Sequence, residues 1–323
     1  MKKIILIIIT VILTSGQYYN KSENKRFNLR DKPLILFWNV ENMFDYLDDV
    51  ENVWDDDFTP MGQRYWNSYK FYKKCRDIGK IILAIGDRYG GVPDVIGLAE
   101  VENSFVLRAI INTDVLKKLG YSYVHFESID RRGIDVALLY RKKNINILKT
   151  DSYDILNMAT RNILYVKFSF NKDVYNVLVN HHPSKYGGEK ESIIKRTFVL
   201  NRMNGIVDSL MRCGESNIVA MGDFNEEANN EIFVDVEQRL NNMGRSLLNK
   251  DLGTIRYKGR WNLIDNFFLS KGLASNLQME IVWLPFLLEE DKTYGGVKIR
   301  RTYIQTLYQG GISDHLPIVL GTF

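Results

Sequence analysis

The sequence is poor in cysteine and proline, with only two and six among 323 residues. Two cysteines exclude a disulfide-dense scaffold, and no CxxC pair marks a zinc site. No proline-rich linker, internal repeat or composition break divides the chain. No excess of one charge is present either: 43 Lys and Arg face 39 Asp and Glu, for a net charge of +4. That balance, with 45% hydrophobic residues, argues against a disordered chain and against a cationic coat for nucleic acid. Beyond the N-terminus there is no long apolar run.

The N-terminus is the exception. Lys2 and Lys3 precede an apolar run from Ile4 to Leu13, followed by Thr14, Ser15 and Gly16. A short basic flank, an apolar stretch too short to span a bilayer and a small-residue exit describe a secretory signal peptide. The expected organisation is a signal peptide over 1–16, a flexible segment over 17–32 and one domain over 33–323. The competing reading is an uncleaved anchor. An exported protein, periplasmic or extracellular, is expected, with no membrane span after cleavage and no protein partner readable. Cleavage removes two lysines and no acid, so the mature chain is closer to neutral. Cys75 falls on the apolar helical series Phe71, Cys75, Ile78, Ile82, Ile85, and Cys213 closes the series Val199, Met203, Ile206, Leu210. Both read as structural, and whether they pair is not legible.

Hydrophobic periodicity predicts strands at Leu34–Val40, Asp94–Val101, Tyr121–Phe126, Asp135–Tyr140, Asn162–Phe170, Val174–His181, Asn217–Phe224, Leu263–Leu269, Glu280–Leu284 and Leu316–Thr322. It predicts helices at Ser68–Ile85, Ser104–Lys118 and Glu189–Arg212. Strands adjacent in sequence suggest antiparallel pairing, and the interleaved helices suggest mixed α/β layers. Asp45–Trp66, rich in acids, and Asp291–Gly311 read as long surface loops. The first lacks the ligand spacing and central glycine of an EF-hand, so a solvated acidic loop is expected there rather than a calcium loop.

Polar residues gather at the predicted strand ends. Asn39 and Glu41 lie in WNVEN, Glu100 in GLAEVEN, His181 and His182 in VNHHPSK, Asp223 and Asn225 in MGDFNEE, and Asp314 and His315 in SDHLPIVL. Each alone reads as a turn residue or cap. Asp265, between Ile264 and Phe267, must be paired if it is buried. Three of the four histidines fall in these motifs. Hard oxygen donors with few nitrogens suit magnesium, manganese or calcium rather than zinc. Imidazoles beside such an ion suit phosphoester hydrolysis.

These motifs, in this order from Trp38 to Pro317, resemble the endonuclease/exonuclease/phosphatase superfamily with the deoxyribonuclease-I-like fold. GDFN followed by SDH is the specific part of the likeness. The resemblance implies a four-layer α/β/β/α sandwich (α+β in class) with two packed, mainly antiparallel sheets. It implies Glu100 as the principal metal carboxylate, with Asn39, Glu41 and Asp314 at the metal. Asp223 resembles the residue that orients or deprotonates attacking water, and Asn225 its phosphate-holding neighbour. His315 resembles the histidine at the scissile phosphate, fixed by Asp265, and His181 the one assisting the leaving group. Arg132 and Lys185 are candidate phosphate contacts. His182 is expected to pack beside the site, and Glu102 competes with Glu100 if the strand runs on, since both then face one way.

The function expected is a secreted, metal-dependent phosphodiesterase, an endonuclease on DNA or RNA, with Mg2+, Mn2+ or Ca2+. The alternatives are a phosphatase or phosphodiesterase on lipid head groups or inositol phosphates, and a non-catalytic binding protein on the same scaffold. A binuclear metallophosphatase is disfavoured because DxH and GNH[DE] motifs are missing. With a small net charge, any grip on phosphate must be local.

Overall fold

In the computed structural model, residues 31–49, 52–185, 188–250 and 252–323 are described, without the side chains of 249 and 250. The expected signal peptide and nearly all of the 17–32 segment lie outside the described residues. Two six-stranded sheets form the centre of the molecule. The strands are β1 (Ile35–Met43), β2 (Val95–Val101), β3 (Tyr121–His125), β4 (Asp135–Arg141), β5 (Ile145–Tyr153), β6 (Ile163–Phe170), β7 (Asp173–His181), β8 (Ile218–Asp223), β9 (Asn241–Asn242), β10 (Asp265–Leu269), β11 (Gln278–Ile281) and β12 (Ile318–Gly321). The first sheet has the order β11-β12-β1-β2-β4-β3 and the second β5-β6-β7-β8-β10-β9. All neighbours are antiparallel except the central pairs β1/β2 and β7/β8.

Period-two alternation builds the layers. On β8, Val219 and Met221 join the core between the sheets, while Ile218 and Ala220 face the other way. There they meet Val199, Leu200 and Met203 of helix α3 (Glu189–Arg212). Helix α1 (Ser68–Tyr89) buries Phe71, Cys75, Ile78, Ile82 and Ile85 as its spacing predicts. With helix α2 (Ser104–Ile111) it covers the first sheet, completing the expected four layers. Asn67 caps α1 by accepting from Lys70 N, and Gly90, at φ 75°, ends it in the left-handed region. The sheets approach closely at Gly97, where a Cβ would meet Met221 Cε at 2.6 Å.

Four details differ from the sequence reading. Helix α2 stops at Ile111 because the Thr113 hydroxyl donates to Ile110 O and turns the chain. Strand β5 escaped notice: it is a sheet edge with only Ile145 buried, and a register shift between Ile147 and Lys149 breaks its alternation. The acidic loop is not merely solvated, since it buries Asp45, Asp55, Phe58 and Trp66. The Asp291–Gly311 segment folds into the hairpins Leu288–Glu290/Val297–Ile299 and Tyr303–Ile304/Leu307–Tyr308. Both cysteines are free, Cys75 buried and Cys213 exposed, and burial pushes the Cys75 thiol up to about 12. Among the described residues no helix is long and apolar enough to cross a membrane.

Candidate active site

Strand register assembles the site. His181 is paired with Asp223 across β7/β8, and Asp223 with Asp265 across β8/β10. Paired residues project to the same face, so three chemically active side chains stand side by side. Strands β1 and β2 run parallel and deliver Asn39, Glu41 and Glu100 from the opposite sheet. The Asn39 amide closes the gap, donating from Nδ2 to Asp223 Oδ2 at 3.0 Å while Oδ1 accepts from Glu41 N at 3.0 Å. Gly222 is required beside Asp223, because a Cβ there would lie 2.3 Å from Asn180 O.

The backbone is bent where these side chains emerge. Glu41, Asn42, Glu100 and Asn225 have φ of 49°, 47°, 63° and 52°, which non-glycine residues rarely adopt. Strain of this kind is held by its surroundings. Glu100 Oε2 accepts from Asn42 N at 2.7 Å, and Asp223 Oδ1 accepts from Asn225 N at 2.9 Å. The Asn225 amide donates to His182 O at 3.0 Å. The turn at Glu100 also settles its competition with Glu102. Register shifts between Ala99 and Val101, the strand ends, and Glu102 leaves for a different cavity beside Asp45.

His315 donates from Nδ1 to Asp265 Oδ2 at 2.8 Å, so the buried Asp265 is paired as its apolar neighbours require. Ser313 orients this turn by donating its hydroxyl to Asn39 O at 2.6 Å and accepting from His315 N at 2.9 Å. Nε2 of His315 stands 3.8 Å from Asp223 Oδ2 and 3.9 Å from Asp314 Oδ1. Burial alone would lower the His315 pKa, but Asp265 and Asp223 hold it well above the usual histidine value. His181 behaves oppositely. It stands 3.6 Å from Asp223 and 3.8 Å from Glu100, yet burial and the cations Arg161 and Arg132 hold its pKa well below the usual value. Burial pushes Asp223 up to about 7, with Asp265 adding to the rise and His315 opposing it.

Glu41 is buried beside Asp314, and both effects push it up to about 7 against Lys74 and Arg301. Its carboxylate accepts from Thr302 N at 2.8 Å, and Arg301 Nη2 bridges Glu41 Oε1 at 3.3 Å and Asp314 Oδ2 at 2.8 Å. Lys74, fully buried on α1, donates to Glu41 O and to Thr302 Oγ1 at 2.9 Å. Burial lowers its pKa to about 8.

A cleft of about 300 Å³ brings together Glu100, Arg132, His181, Asp223, Asn225, Asp314 and His315 of the sequence-predicted set. Asn39, Glu41 and Asp265 stand directly behind them through the bonds given above. Lys185 is not brought in: its ammonium pairs with Glu226 at 2.7 Å. His182 packs its ring edge-on against Phe224 at 4.9 Å, and burial holds its pKa near 3. Sequence reading missed Arg301, Arg256, Arg161 and Lys74. Arg256 lines the cleft while pairing with Asp291 at 3.2 Å. Arg161 donates to His182 O at 2.9 Å and pairs with Asp130 at 3.0 Å. The detectable signals were Lys74 set in the apolar face of α1 and Arg161 beside a predicted strand.

The donors fit a divalent cation. Glu41, Glu100 and Asp314 supply oxygen only, which suits a hard ion. Burial first and Asp314 second raise Glu41, and a cation at this place would favour its ionised form. The Asn39 amide positions Asp223 and Glu41, and its Oδ1 keeps a second lone pair for a ligand role.

Comparison with known proteins follows the same line. The family model described as "Endonuclease/Exonuclease/phosphatase family" matches residues 34–322. No curated protein sequence is matched. Among solved structures, truncated TDP2 from Caenorhabditis elegans is similar at TM-score 0.58 and 16% identity, covering 90% of this chain and 97% of that one. TDP2 of D. rerio complexed with single-strand DNA product is similar at 0.56 and 16%, covering 90% and 100%. A mannosyl-6-phosphatase from Bacteroides thetaiotaomicron is similar at 0.56 and 13%, covering 90% and 98%. At such identities these likenesses concern the fold. Because the family model spans nearly the whole described domain, the chain belongs to the endonuclease/exonuclease/phosphatase family, whose members are metal-dependent phosphoester hydrolases.

Proposed function

We propose that the protein is an exported phosphodiesterase that cleaves DNA or RNA with a divalent cation. The observation that carries this reading is the His315–Asp265 pair beside Asp223, in a cleft that opens onto a second, cationic cavity. That cavity, of about 710 Å³, shares Arg132 and Ser184 with the cleft and is lined by Arg131, Arg161 and Lys195, with no acid among the described residues. A polymer with phosphates on both sides of the scissile bond uses such a wall; a small phosphate ester does not reach it. The DNA bound by the zebrafish neighbour is consistent with this choice, and the N-terminal pattern supports export.

Hydrolysis forms a phosphorus–oxygen bond from water and breaks the one to the leaving oxygen, which takes a proton from solvent and departs as the alcohol. Asp223, titrating near neutrality, orients the water and accepts its proton. His315, held protonated by Asp265, donates from Nε2 to a phosphoryl oxygen as charge builds there. His181 is neutral at pH 7, so it serves as a hydrogen-bond partner of the reacting oxygens rather than as a charged acid. Asn225 and Arg132 hold the phosphate. Glu41, Glu100 and Asp314 would hold the cation, which supplies Lewis-acid neutralisation of the phosphoryl oxygens.

The test is a panel of single- and double-stranded DNA, RNA, sphingomyelin, an inositol phosphate and a sugar 6-phosphate, each with magnesium or manganese. Nucleic acid is expected to be cleaved with the highest kcat/KM. Preference for the sugar phosphate or the lipid would overturn the substrate assignment, and inactivity on every member would overturn the reading as a whole.

A further inference from the structure

Two residues beyond Glu100 the chain enters a different electrostatic setting. A cavity of about 410 Å³ is lined by Asp45, Asp48, Asp49, Asn52, Glu102 and Glu127, and among the described residues no Lys or Arg lines it. Behind it, one carboxylate oxygen from each of Asp48, Asp55 and Asp56 lies within 4.8 Å of the other two. Asp45, Asp48, Asp55, Asp56, Glu102 and Glu127 form no ion pair with a described Lys or Arg. The nearest imidazole contact is His125 Nδ1 at 3.8 Å from Glu127.

Two carboxylates show that this acidity is not simply solvated. Glu102, only 8% exposed, faces the cavity; its Oε2 accepts from Asp45 N at 2.6 Å, and Oε1 receives no hydrogen bond from a described residue. Asp55, 2% exposed, accepts from Asp49 N through Oδ2 at 3.1 Å while its buried Oδ1 has no partner. A buried carboxyl oxygen without a partner costs on the order of 1–3 kcal/mol unless something answers it. Glu102 approaches from the end of β2 and the aspartates from the chain leaving β1, so the acids come from two separate segments.

We propose that this cavity is a second cation site, distinct from the catalytic one, and that its ion is calcium. The donors are all oxygen, three carboxylates stand together, and the cavity has room for the bound water that completes calcium's larger, less rigid shell. Because Glu102 already ties Asp45 to the end of β2, the ion clamps together the exits of β1 and β2. These are the two strands that present Asn39, Glu41 and Glu100 to the cleft. The acidic segment that reads as a solvated loop is then the ligand-bearing part of a structural site.

The test is calcium chloride titrated into the full chain after chelator treatment, followed by calorimetry and by the thermal unfolding midpoint. Wild type is expected to bind calcium with a raised midpoint, and Glu100→Gln to keep that response. Asp48→Asn, an exposed change that leaves the core alone, and Asp55→Asn are each expected to weaken calcium binding by about tenfold or more. Overturning results are no calcium binding, unchanged binding in both Asp variants, loss of the response in Glu100→Gln, or an equal midpoint shift from magnesium at equal concentration. None of these readouts depends on substrate, so they stand apart from the test of the proposed function.

Discussion

Two groups of carboxylates lie on either side of the bulge at Glu100, and they are built differently. In the cleft, Glu41 and Asp314 share Arg301, Asp265 and Asp223 face His315, and Lys74 lies beneath. In the acidic cavity, no described Lys or Arg lines the wall beside Glu102 and Asp48. The first group therefore keeps protonatable and guanidinium partners that respond to a phosphate; the second requires its positive charge from outside. The same chain segment divides the charges again, since Arg131 and Arg132 line the basic cavity while Gly133 lines the acidic one. A nearly neutral protein thus gains strong local fields by sorting its charges rather than by carrying an excess.

Taking away the anionic partner of His315 should have the largest effect of the changes that probe this contrast. Asp265→Asn is expected to lower kcat by roughly 10²-fold, within the range for a positioned acid–base group, as measured by steady-state hydrolysis. It also has a signature in stability. The folded His315 pKa lies above its ordinary 6.5, so the native chain holds more protons between those two values. The pair's contribution is whole below about pH 6.5 and disappears as pH rises through the raised value. In chelator, Asp265→Asn should reduce that pH dependence in denaturant unfolding, Asp223 retaining the rest; a slope unchanged from wild type would contradict the pairing.

A smaller effect is expected where the basic cavity meets polymer. Arg131→Ala should raise KM for DNA several-fold, reduce the slope of log affinity against log salt by about one, and leave a small phosphodiester reporter unaffected. Equal loss on both substrates would remove the cavity from the substrate path. The smallest effect concerns Arg301, whose side chain is half exposed, which limits its pairing to about 1 kcal/mol or less. Arg301→Ala should lower the unfolding midpoint slightly in chelator, and a divalent cation should restore it by replacing the lost charge beside Glu41 and Asp314.

How much of this was legible follows from how each residue is placed. His181, Asp223 and Asp265 sit at ends of strongly apolar strands, where a polar residue stands out and the two-residue period fixes its face. The same contrast exposed Asn39, Glu100 and His315. Strand β5 and Arg301 lie in segments whose polar composition hides their structure: one is a solvated edge, the other part of a stretch folded into small hairpins. Arg161 and Lys74 are buried cations whose partners, Asp130 and the Glu41 backbone, come from elsewhere in the chain. Lys185 shows the reverse case, since its position after NHHPS suggested phosphate while Glu226, far away in sequence, takes its charge. The left-handed turn at Glu100 was also hidden, and it separates Glu100 from Glu102 and so one charged cavity from the other.

The central claim is that phosphoester hydrolysis occurs between Glu100, Asp223 and His315. The most direct measurement compares manganese-dependent cleavage of single-stranded DNA by wild type, Asp223→Asn and His315→Ala, with folding verified by circular dichroism. Each variant should retain the wild-type spectrum and lose about 10²- to 10⁴-fold in kcat. Cleavage at the wild-type rate by either folded variant would contradict the account.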